Sequence, residues 1–306
     1  MNLKGVFSRT LNFLFVGILV SACAPQDTPQ LALEAQETQG IVNGQRVTPK
    51  MKDPLAPLIV QLELETHDAK KRKIYTSSCT GVLIHPNVAI TAAHCIREAQ
   101  LIPAASIHKF PKDAEYPALH VISYDKKVSR RASLAITHSE YNSKASSRYN
   151  DLALVFIDKP FYKDWSKFPD LKFDPNGVLG PGAIVTAYGY GANQVSINAK
   201  GEKELGDDGV LRRKIFKIIS SQDANPRLWR FDDVIYISSI PSEKEGSVCN
   251  GDSGGAAFAN INGSYVLVGI TSYTLFSCKG DAALISIRDH ITWIQNKVLE
   301  GFSIGF

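Results

Sequence analysis

The chain has 306 residues, of which 44% are hydrophobic, and its formal net charge at pH 7 is +4. A chain of this length and apolar content can bury a sizeable core, which excludes a wholly disordered protein. The charge is small and no dense run of lysines and arginines alternates with aromatic residues, so we expect no nucleic acid partner.

The chain begins with the pattern of a signal peptide, predicted at residues 1–22. A short basic stretch precedes an apolar run at 11–20, which is too short to cross a bilayer core of about 30 Å as a helix. The run ends in Val20-Ser21-Ala22-Cys23, which resembles the bacterial lipobox, whose cysteine is acylated. We therefore expect an exported bacterial protein, anchored to a membrane through Cys23 as a lipoprotein precursor, with its folded part periplasmic or extracellular. Ordinary signal cleavage near Ala22 or Ala24 is the alternative.

Residues 23–40 are predicted to be a linker or a propeptide. They are rich in Gln, Thr, Pro and Ala and show no sustained periodicity. The folded domain is predicted to follow at 41–306. The chain has five cysteines, so in an oxidising compartment one of them lacks a partner, and Cys23 is the natural odd one.

Short strands dominate the sequence after residue 41. Residues 60–65 alternate apolar and polar side chains, and many further short apolar runs are separated by Gly, Pro, Asn and Asp. This pattern predicts an all-β barrel or sandwich. One helix is predicted at about 288–300, where apolar residues have helical spacing and Gly301 follows. The polar segment 193–209 is predicted to be an exposed loop.

The strongest chemical pattern is Gly251-Asp252-Ser253-Gly254-Gly255. Its glycines allow a tight turn and a close approach of the backbone to a substrate, and the Ser253 hydroxyl is a candidate nucleophile. Such a turn can aim the amides of Gly251 and Ser253 at one point, which makes an oxyanion hole.

A serine nucleophile needs a base near neutral pH, and histidine is the side chain whose pKa suits that role. His94 is the candidate, because it ends the apolar run 88–93 and is followed at once by Cys95, which can fix its position. Asp151 opens the apolar run 152–157, where the protein can bury the carboxylate that orients the imidazole. The other histidines are predicted to lie on the surface or in turns: His67, His85, His108, His120, His138 and His290.

Taken together, these residues resemble the trypsin and chymotrypsin family, whose triad also follows the chain order His, Asp, Ser. The motifs occur in family order: Ile41-Val42-Asn43-Gly44, Cys79-Thr80-Gly81, Thr91-Ala92-Ala93-His94-Cys95, Asn150-Asp151-Leu152-Ala153-Leu154, Gly189-Tyr190-Gly191, the Ser253 motif and Ser272-Tyr273. The resemblance covers essentially all of 41–306. It implies an all-β fold of two six-stranded antiparallel β-barrels, the first at about 41–165 and the second at about 166–287, followed by a C-terminal helix.

The resemblance implies a serine endopeptidase that acts on proteins or peptides, with His94, Asp151 and Ser253 as its catalytic residues. It further implies that Ser272 hydrogen-bonds Asp151. It also implies two disulfide bonds, and the cysteine pairs are Cys79–Cys95 and Cys249–Cys278. We expect a monomer that uses no cofactor and no metal ion.

Activation by cleavage between Gly40 and Ile41 is implied too. The freed α-amino group of Ile41 would insert and pair with Asp252, which orders the loop around Ser253. Because Cys23 precedes the cut and the other four cysteines are paired with one another, activation is expected to release the catalytic domain from its lipid anchor.

The position at the base of the family's specificity pocket, six residues before the nucleophile, is Ser247. A cationic side chain would find no compensating charge there, so a preference for Arg or Lys is not expected. Thr274 and Ala283 are expected to line the walls of this pocket and to narrow it. Ala282 is the alternative to Ala283. We therefore expect a small or medium apolar residue before the scissile bond.

Two other functions fit parts of the pattern. The first is a catalytically inactive binding or adhesion module on the same scaffold, because a fold does not fix a function. The second is an esterase or lipase, whose Gly-x-Ser-x-Gly pattern the Ser253 motif matches. The order of the triad in an esterase is Ser, Asp, His, so the upstream position of His94 argues against it.

Overall fold

The computed structural model describes residues 41–304, apart from 68–69, 71, 98–106, 111, 113–114, 116, 142–148, 158, 169, 174–178, 199–202, 207, 242–244 and 276. The predicted signal peptide, Cys23 and Gly40 lie outside the described residues.

The first barrel is built from the N-terminal half of the described residues. Strand β1 (Gln45–Arg46) comes first, and it is followed by β2 (Ile59–His67), β3 (Lys73–His85), β4 (Val88–Thr91), β5 (Ile107–Lys109), β6 (Ala118–Ser123), β7 (Ser129–Thr137) and β8 (Ala153–Ile157). Six of these close an antiparallel barrel in the order β7-β6-β2-β3-β4-β8, because β8 pairs with β7 as well as with β4. Strand β5 adds to β7 outside the closed ring.

The second barrel follows. Its half of the chain contains β9 (Lys172–Phe173), β10 (Ile184–Gly189), β11 (Gln194–Ile197), β12 (Lys203–Gly206), β13 (Arg212–Ile219), β14 (Val234–Ser239), β15 (Ala256–Ile261), β16 (Ser264–Thr274) and β17 (Ala282–Ser286). Six of them close in the order β13-β10-β15-β16-β17-β14, because β14 pairs with β13 as well as with β17. Strand β9 runs parallel to β16. The prediction of two closed six-stranded antiparallel barrels is confirmed.

The apolar run 152–157 is continuous because strand β8 is buried on both faces. All five of its residues are buried, whereas β2 alternates at its far end. One face of β8 lies in the barrel, and the C-terminal helix covers the strand from outside, with Phe302 meeting Phe156 edge-on at 6.0 Å between ring centres. Asp151 therefore lies just before a fully buried strand, where its carboxylate is surrounded by protein.

The α-helices of the described residues are α1 (His94–Arg97) and α2 (Ile287–Ile304), and short 3-10 helices cover Pro49–Met51, Ala56–Leu58 and Trp165–Lys167. The predicted C-terminal helix is confirmed, but it runs to Ile304 and includes Gly301. A Cβ on Gly301 would lie 2.2 Å from Cζ of Phe156, so glycine allows close packing here and does not end the helix. No described helix is long and apolar enough to cross a membrane.

The first few residues of the domain pack with the second barrel. Strand β1 pairs with β13, where Gln45 lies opposite Arg213. The side chain of Ile41 is fully buried in the apolar core of the second barrel beside Phe216 and Val185. The first residues of the predicted first barrel, about 41–165, therefore pack with the second barrel.

Two further sequence predictions are corrected. The segment 193–209 contains the hairpin of β11 and β12 and is not a plain loop. Three histidines predicted at the surface or in turns are buried: His108, His138 and His290. The surroundings of the last two bear on the site described next.

Candidate active site

The loop around Ser253 is shaped by two glycines in the left-handed region. Gly251 has φ +95° and Gly254 has φ +81°. A Cβ on Gly254 would lie 2.0 Å from Thr91 Oγ1 and 2.2 Å from the Thr80 carbonyl oxygen. Only glycine fits there. Because glycine has no side chain, this loop of the second barrel packs closely against β3 and β4 of the first barrel.

His94 starts α1 directly after β4, close to where the loop docks. Its Nδ1 lies 2.7 Å from Oδ2 of Asp151, and its backbone amide donates to Oδ1 of the same carboxylate at 2.8 Å. Asp151 is fully buried. Since an ionised carboxylate only accepts, the proton of the neutral ring belongs on Nδ1, and Nε2 is left as the basic atom.

Ser272 brings the second barrel to the same carboxylate. Its hydroxyl on β16 donates to Oδ2 of Asp151 at 2.5 Å and is itself buried. Asp151 thus accepts from the His94 ring, the His94 amide and Ser272, which offsets the desolvation of a charged group.

Ser253 is held beside these groups through its backbone. Its carbonyl oxygen accepts from the Thr80 amide at 2.8 Å, and Sγ of Cys95 lies 3.7 Å from the same oxygen. The side chain is half-buried and so remains open to solvent. No hydrogen bond joins its hydroxyl to the His94 ring within the described part of the chain. Such contacts often tighten only when substrate is bound.

The amides of the loop divide into used and unused donors. Those of Asp252, Gly254 and Gly255 donate to carbonyl oxygens at 3.0, 2.7 and 2.8 Å. Among the described residues, the amides of Gly251 and Ser253 donate to none. These two donors are the pair from which the sequence predicts an oxyanion hole.

The buried carboxylate of Asp252 organises this loop from behind. It accepts from the amide of Gly191 at 2.7 Å and from the amide of Cys249 at 2.7 Å. A Cβ on Gly191 would lie 2.5 Å from Cγ of Asp252, so the Gly189-Tyr190-Gly191 motif provides room for the carboxylate. The side chain of Val42, next to Ile41, packs against Cys249 and Cys278.

The residues of the predicted specificity pocket lie together, with one change. Ser247 is fully buried, and its Oγ lies 3.1 Å from Oγ1 of Thr274. Thr274 pairs with Ala282 across β16 and β17, so these two side chains share a face. Ala283 faces the other side, with Leu228 and Tyr236. Of the two predicted alternatives, Ala282 thus lies beside Thr274, and Ala283 lies on the opposite face of β17.

The cysteines are paired as the resemblance implies. The structure contains disulfide bonds between Cys79 and Cys95 and between Cys249 and Cys278. The potential ligand atoms of Cys79, His94 and Cys95 lie within 4.8 Å of one another. Both sulfurs are used in the disulfide, so the group lacks the thiolates that would hold a metal ion.

A second polar cluster, not predicted from the sequence, holds the residue before Asp151. Asn150 is buried with φ +53°, and its amide donates to Oδ2 of Asp233 at 3.0 Å. Its side-chain oxygen lies 2.9 Å from Nε2 of His290, and its side-chain nitrogen donates to Oε2 of Glu140 at 3.2 Å. Burial raises the pKa of the Asp233 carboxyl. The sequence spacing offers no signal for this cluster, whose members come from both barrels and α2.

Comparison with known proteins agrees with this geometry. A model of the trypsin family matches residues 41–294. The chain belongs to the trypsin family. It carries a serine protease domain with the chymotrypsin-like fold, and the match covers both barrels and the first half of α2.

Relatives within the family are distant. The chain is 26% identical over 260 residues to the inactive CLIP domain-containing serine protease A8 of Anopheles gambiae, in an alignment that spans 80% of this chain and 65% of that protein. It is 25% identical to serine protease SP24D of Anopheles gambiae, across 71% of each chain. It is 24% identical to kallikrein-1E2 of Equus caballus, across 72% of this chain and 80% of the kallikrein.

Proposed function

We propose that this trypsin-family domain is an active serine endopeptidase with His94, Asp151 and Ser253 as its catalytic residues. The observation that carries the proposal is the buried Asp151 carboxylate, which accepts from the His94 ring, the His94 amide and Ser272. This arrangement fixes the imidazole with Nε2 as the base, beside a loop that offers a serine hydroxyl and two unused amides.

The reaction follows from these positions. Nε2 of His94 takes the proton of the Ser253 hydroxyl while Oγ attacks the peptide carbonyl, and the amides of Gly251 and Ser253 bind the oxyanion. His94 then gives the proton to the leaving amine, and an acyl-enzyme remains on Ser253. Water then attacks the acyl carbonyl while His94 takes its proton. The carboxylic acid product leaves, and Ser253 regains its hydroxyl proton from His94.

We infer a preference for a small or medium apolar residue before the scissile bond. Thr274 Oγ1 donates to the carbonyl of Asp281 at 3.3 Å, which leaves Ser247 as the donor to Thr274. Ser247 therefore offers a satisfied hydroxyl and no charge to an incoming side chain. The carboxylate of Asp281, the residue whose carbonyl accepts from Thr274, itself accepts from the backbone amide of Asn225 at 2.8 Å. The complete burial of Ser247 indicates that little space lies above it.

Peptide amides that differ only in this residue test the preference. We expect kcat/KM for Ala or Val to exceed that for Lys or Arg by at least about tenfold, a difference of about 1.4 kcal/mol. Ser247→Asp should raise hydrolysis after Lys and Arg, and Ser247→Asn is its uncharged control. Equal rates for Ala and Arg in the unaltered chain would contradict the pocket assignment and leave the triad untouched.

We propose activation by cleavage between Gly40 and Ile41. The burial of Ile41 in the second barrel, with Asp252 also buried, supports insertion of the new α-amino group toward that carboxylate. A chain beginning at Ile41 should be active, and one that begins with an added alanine before Ile41 should not. Equal activity of the two chains would contradict this mechanism.

Export and lipid anchoring through Cys23, in a bacterial cell, complete the proposal. If Cys23 is acylated, cleavage before Ile41 separates the catalytic domain from the anchor, so active enzyme belongs in the soluble fraction. Active enzyme in washed membranes with an intact 23–40 segment would contradict this release. The substrates are proteins or peptides, and we propose that the domain acts as a monomer.

A catalytically inactive binding module is the second candidate. One relative from Anopheles gambiae is described as an inactive serine protease, so catalysis can be lost at this level of similarity. The present chain keeps all three triad residues, which favours activity. Absence of peptide hydrolysis by a chain that begins at Ile41 would favour the binding module.

A further inference from the structure

Thr80, on β3 of the first barrel, is fully buried against the loop that carries Ser253. Its hydroxyl accepts from the backbone amide of Tyr190 at 3.0 Å and donates to the carbonyl oxygen of Gly251 at 2.8 Å. Its own backbone amide donates to the carbonyl oxygen of Ser253 at 2.8 Å. One threonine of the first barrel thus contacts both residues whose amides are the proposed oxyanion donors.

The two partners of the Thr80 hydroxyl fix its role as donor and acceptor. A backbone N–H only donates and a carbonyl only accepts, so the hydroxyl accepts from Tyr190 and donates to Gly251. Hydrogen bonds in such a chain polarise one another, which strengthens both where water is excluded. A valine of nearly the same shape would deprive both backbone groups of this partner, which is costly at a buried position.

Gly251 is the residue of the loop that most needs an external contact. It has φ +95° and no side chain, so its own preferences restrict its backbone little. The peptide before it is held through the Asn250 carbonyl, which accepts from the Ala192 amide at 2.7 Å. The N–H of the peptide after it donates to the Cys249 carbonyl at 3.0 Å, and the carbonyl of that peptide accepts from Thr80. Removal of the Thr80 hydroxyl therefore frees this carbonyl to turn.

The geometry of Gly251 matters because two amides must point at one oxyanion. A donor stabilises the transition state only when it lies within hydrogen-bond distance of the place where negative charge develops. A turn of the Gly251 backbone moves its amide from that place. Transition-state stabilisation is then lost, while contacts made equally in the ground state stay as they were.

We propose that Thr80 is a positioning residue for catalysis, whose hydroxyl holds Gly251 so that its amide and that of Ser253 meet at the oxyanion. The proposal rests on the proposed function, because it concerns the oxyanion hole of that reaction. Thr80 is fully buried, so it acts through the loop and not by touching the substrate.

The first measurement does not depend on catalysis. It uses the chain that begins at Ile41 with Ser253→Ala and follows the backbone amide resonances of Gly251 and Tyr190 by NMR. Thr80→Val removes the hydroxyl with little change of shape, and Thr80→Ser keeps the hydroxyl. We expect Thr80→Val to shift or broaden both resonances and Thr80→Ser to leave them near their original positions. Unmoved resonances in Thr80→Val would overturn the proposal.

The second measurement is steady-state hydrolysis of a peptide amide by the chain that begins at Ile41 with Ser253 intact. Loss of an oxyanion donor costs about a hundredfold or more in kcat, and here the donor is displaced and not removed. We therefore expect Thr80→Val to lower kcat about tenfold to a hundredfold, with KM within about twofold of its original value. Thr80→Ser should restore kcat to within about threefold of the unaltered chain.

Thr66→Val is the matched control. Thr66 is also a buried threonine of the first barrel, and its hydroxyl has no hydrogen-bond partner within the described part of the chain. This variant should leave kcat, KM and both resonances unchanged. Thr80→Ala also removes the Thr80 hydroxyl and adds no methyl beside the two backbone groups, so it provides the same comparison should Thr80→Val fail to fold.

The outcomes separate this proposal from the proposed function. Equal kcat in Thr80→Val and Thr66→Val, with an active unaltered chain, would overturn the positioning role. A loss of activity in Thr80→Val that lies wholly in KM would overturn it too. An inactive unaltered chain would refute the proposed catalytic function, and the NMR comparison of Thr80→Val with Thr80→Ser would still decide whether Thr80 holds Gly251.

Discussion

At the scale of single residues, Asp151 is the point on which the proposed chemistry depends. Its carboxylate is fully buried, and three donors from two barrels satisfy it. A buried carboxylate with fewer donors would be less stable in its charged form. Loss of one donor should therefore destabilise the His94 imidazolium that forms during the proposed catalysis. Substrate binding should stay nearly unchanged.

Ser272→Ala removes the hydroxyl that donates to Oδ2 of Asp151. A hydrogen bond to a charged group is worth about 1.5–3 kcal/mol, so we expect kcat to fall about tenfold to a hundredfold with little change in KM. Steady-state hydrolysis of a peptide amide measures both constants. Ser264→Ala, at the exposed start of the same strand, is the control and should behave as the unaltered chain. Equal kcat in Ser272→Ala and the control would refute this role.

His138 gives the protein a specific acid sensitivity. Burial and the neighbouring His290 and Lys297 lower its pKa to about 4, from an ordinary value of 6.5. The unfolded chain therefore binds this proton more tightly than the folded one. The stability contributed by the neutral ring is complete above pH 6.5 and is lost as pH falls from 6.5 to 4.

His138→Asn keeps an acceptor for the Glu140 amide and cannot be protonated. We expect the free energy of unfolding in urea to fall less steeply between pH 6.5 and 4 in this variant than in the unaltered chain. His120→Asn, at a half-buried position on β6, is the control and should keep the original slope. The same slope in all three proteins would show that His138 does not titrate as described.

Residue types could be predicted from sequence where the chemistry restricts them. A hydroxyl among glycines, an imidazole after an apolar strand and a carboxylate before one are recognisable patterns. The choice between Ala282 and Ala283 could not be predicted from the sequence. It depends on the register of β16 against β17, where a bulge between Thr271 and Tyr273 shifts the pairing. Asn150, Asp233 and His290 lie too far apart in sequence to form a pattern.

At the scale of elements, the contact of α2 with β8 ties the C-terminus to the first barrel. Gly301 is buried inside the helix, against the ring of Phe156. The sequence alone suggested that this glycine ends the helix, because glycine commonly does so. Close packing on an aromatic ring is a tertiary requirement that the local sequence does not contain.

Gly301→Ala should destabilise the domain, although alanine favours helix. A Cβ at 2.2 Å from the Phe156 ring must displace the ring or the helix, at a cost of about 1–3 kcal/mol. Urea unfolding measures the change. Gly180→Ala is the matched control, because no atom lies within 4 Å of its added Cβ, and it should stay within about 0.5 kcal/mol. A stabilised Gly301→Ala protein would contradict the described packing.

The pairing of β1 with β13 shows the same limit of sequence analysis. Residues 41–46 precede the first barrel in the chain and yet pack with the second barrel, where β1 adds to β13 outside the closed ring and Ile41 lies in the core. A short strand of two residues carries no periodicity, so only the family resemblance suggested where this segment inserts. The insertion places the proposed new N-terminus in the barrel that bears Ser253.

At the scale of the whole molecule, the candidate site lies where two closed barrels meet. His94 and Asp151 come from the first barrel, and Ser253 and Ser272 come from the second. Glycines at 251 and 254 let one barrel's loop reach the other, and the disulfides fix the chain on both sides. The fold class could be predicted because strand periodicity and motif order agree. The contacts between the barrels required coordinates.

Labelling with a fluorophosphonate, followed by mass spectrometry, tests the central claim most directly. The reagent phosphonylates a serine, whose Oγ bonds to phosphorus as fluoride leaves, only when a base and an oxyanion hole activate the hydroxyl. We expect one adduct on Ser253 in a chain that begins at Ile41, and none in Ser253→Ala or in His94→Ala. A folded chain beginning at Ile41 that acquires no adduct on Ser253 would contradict the account and make the domain an inactive binding module.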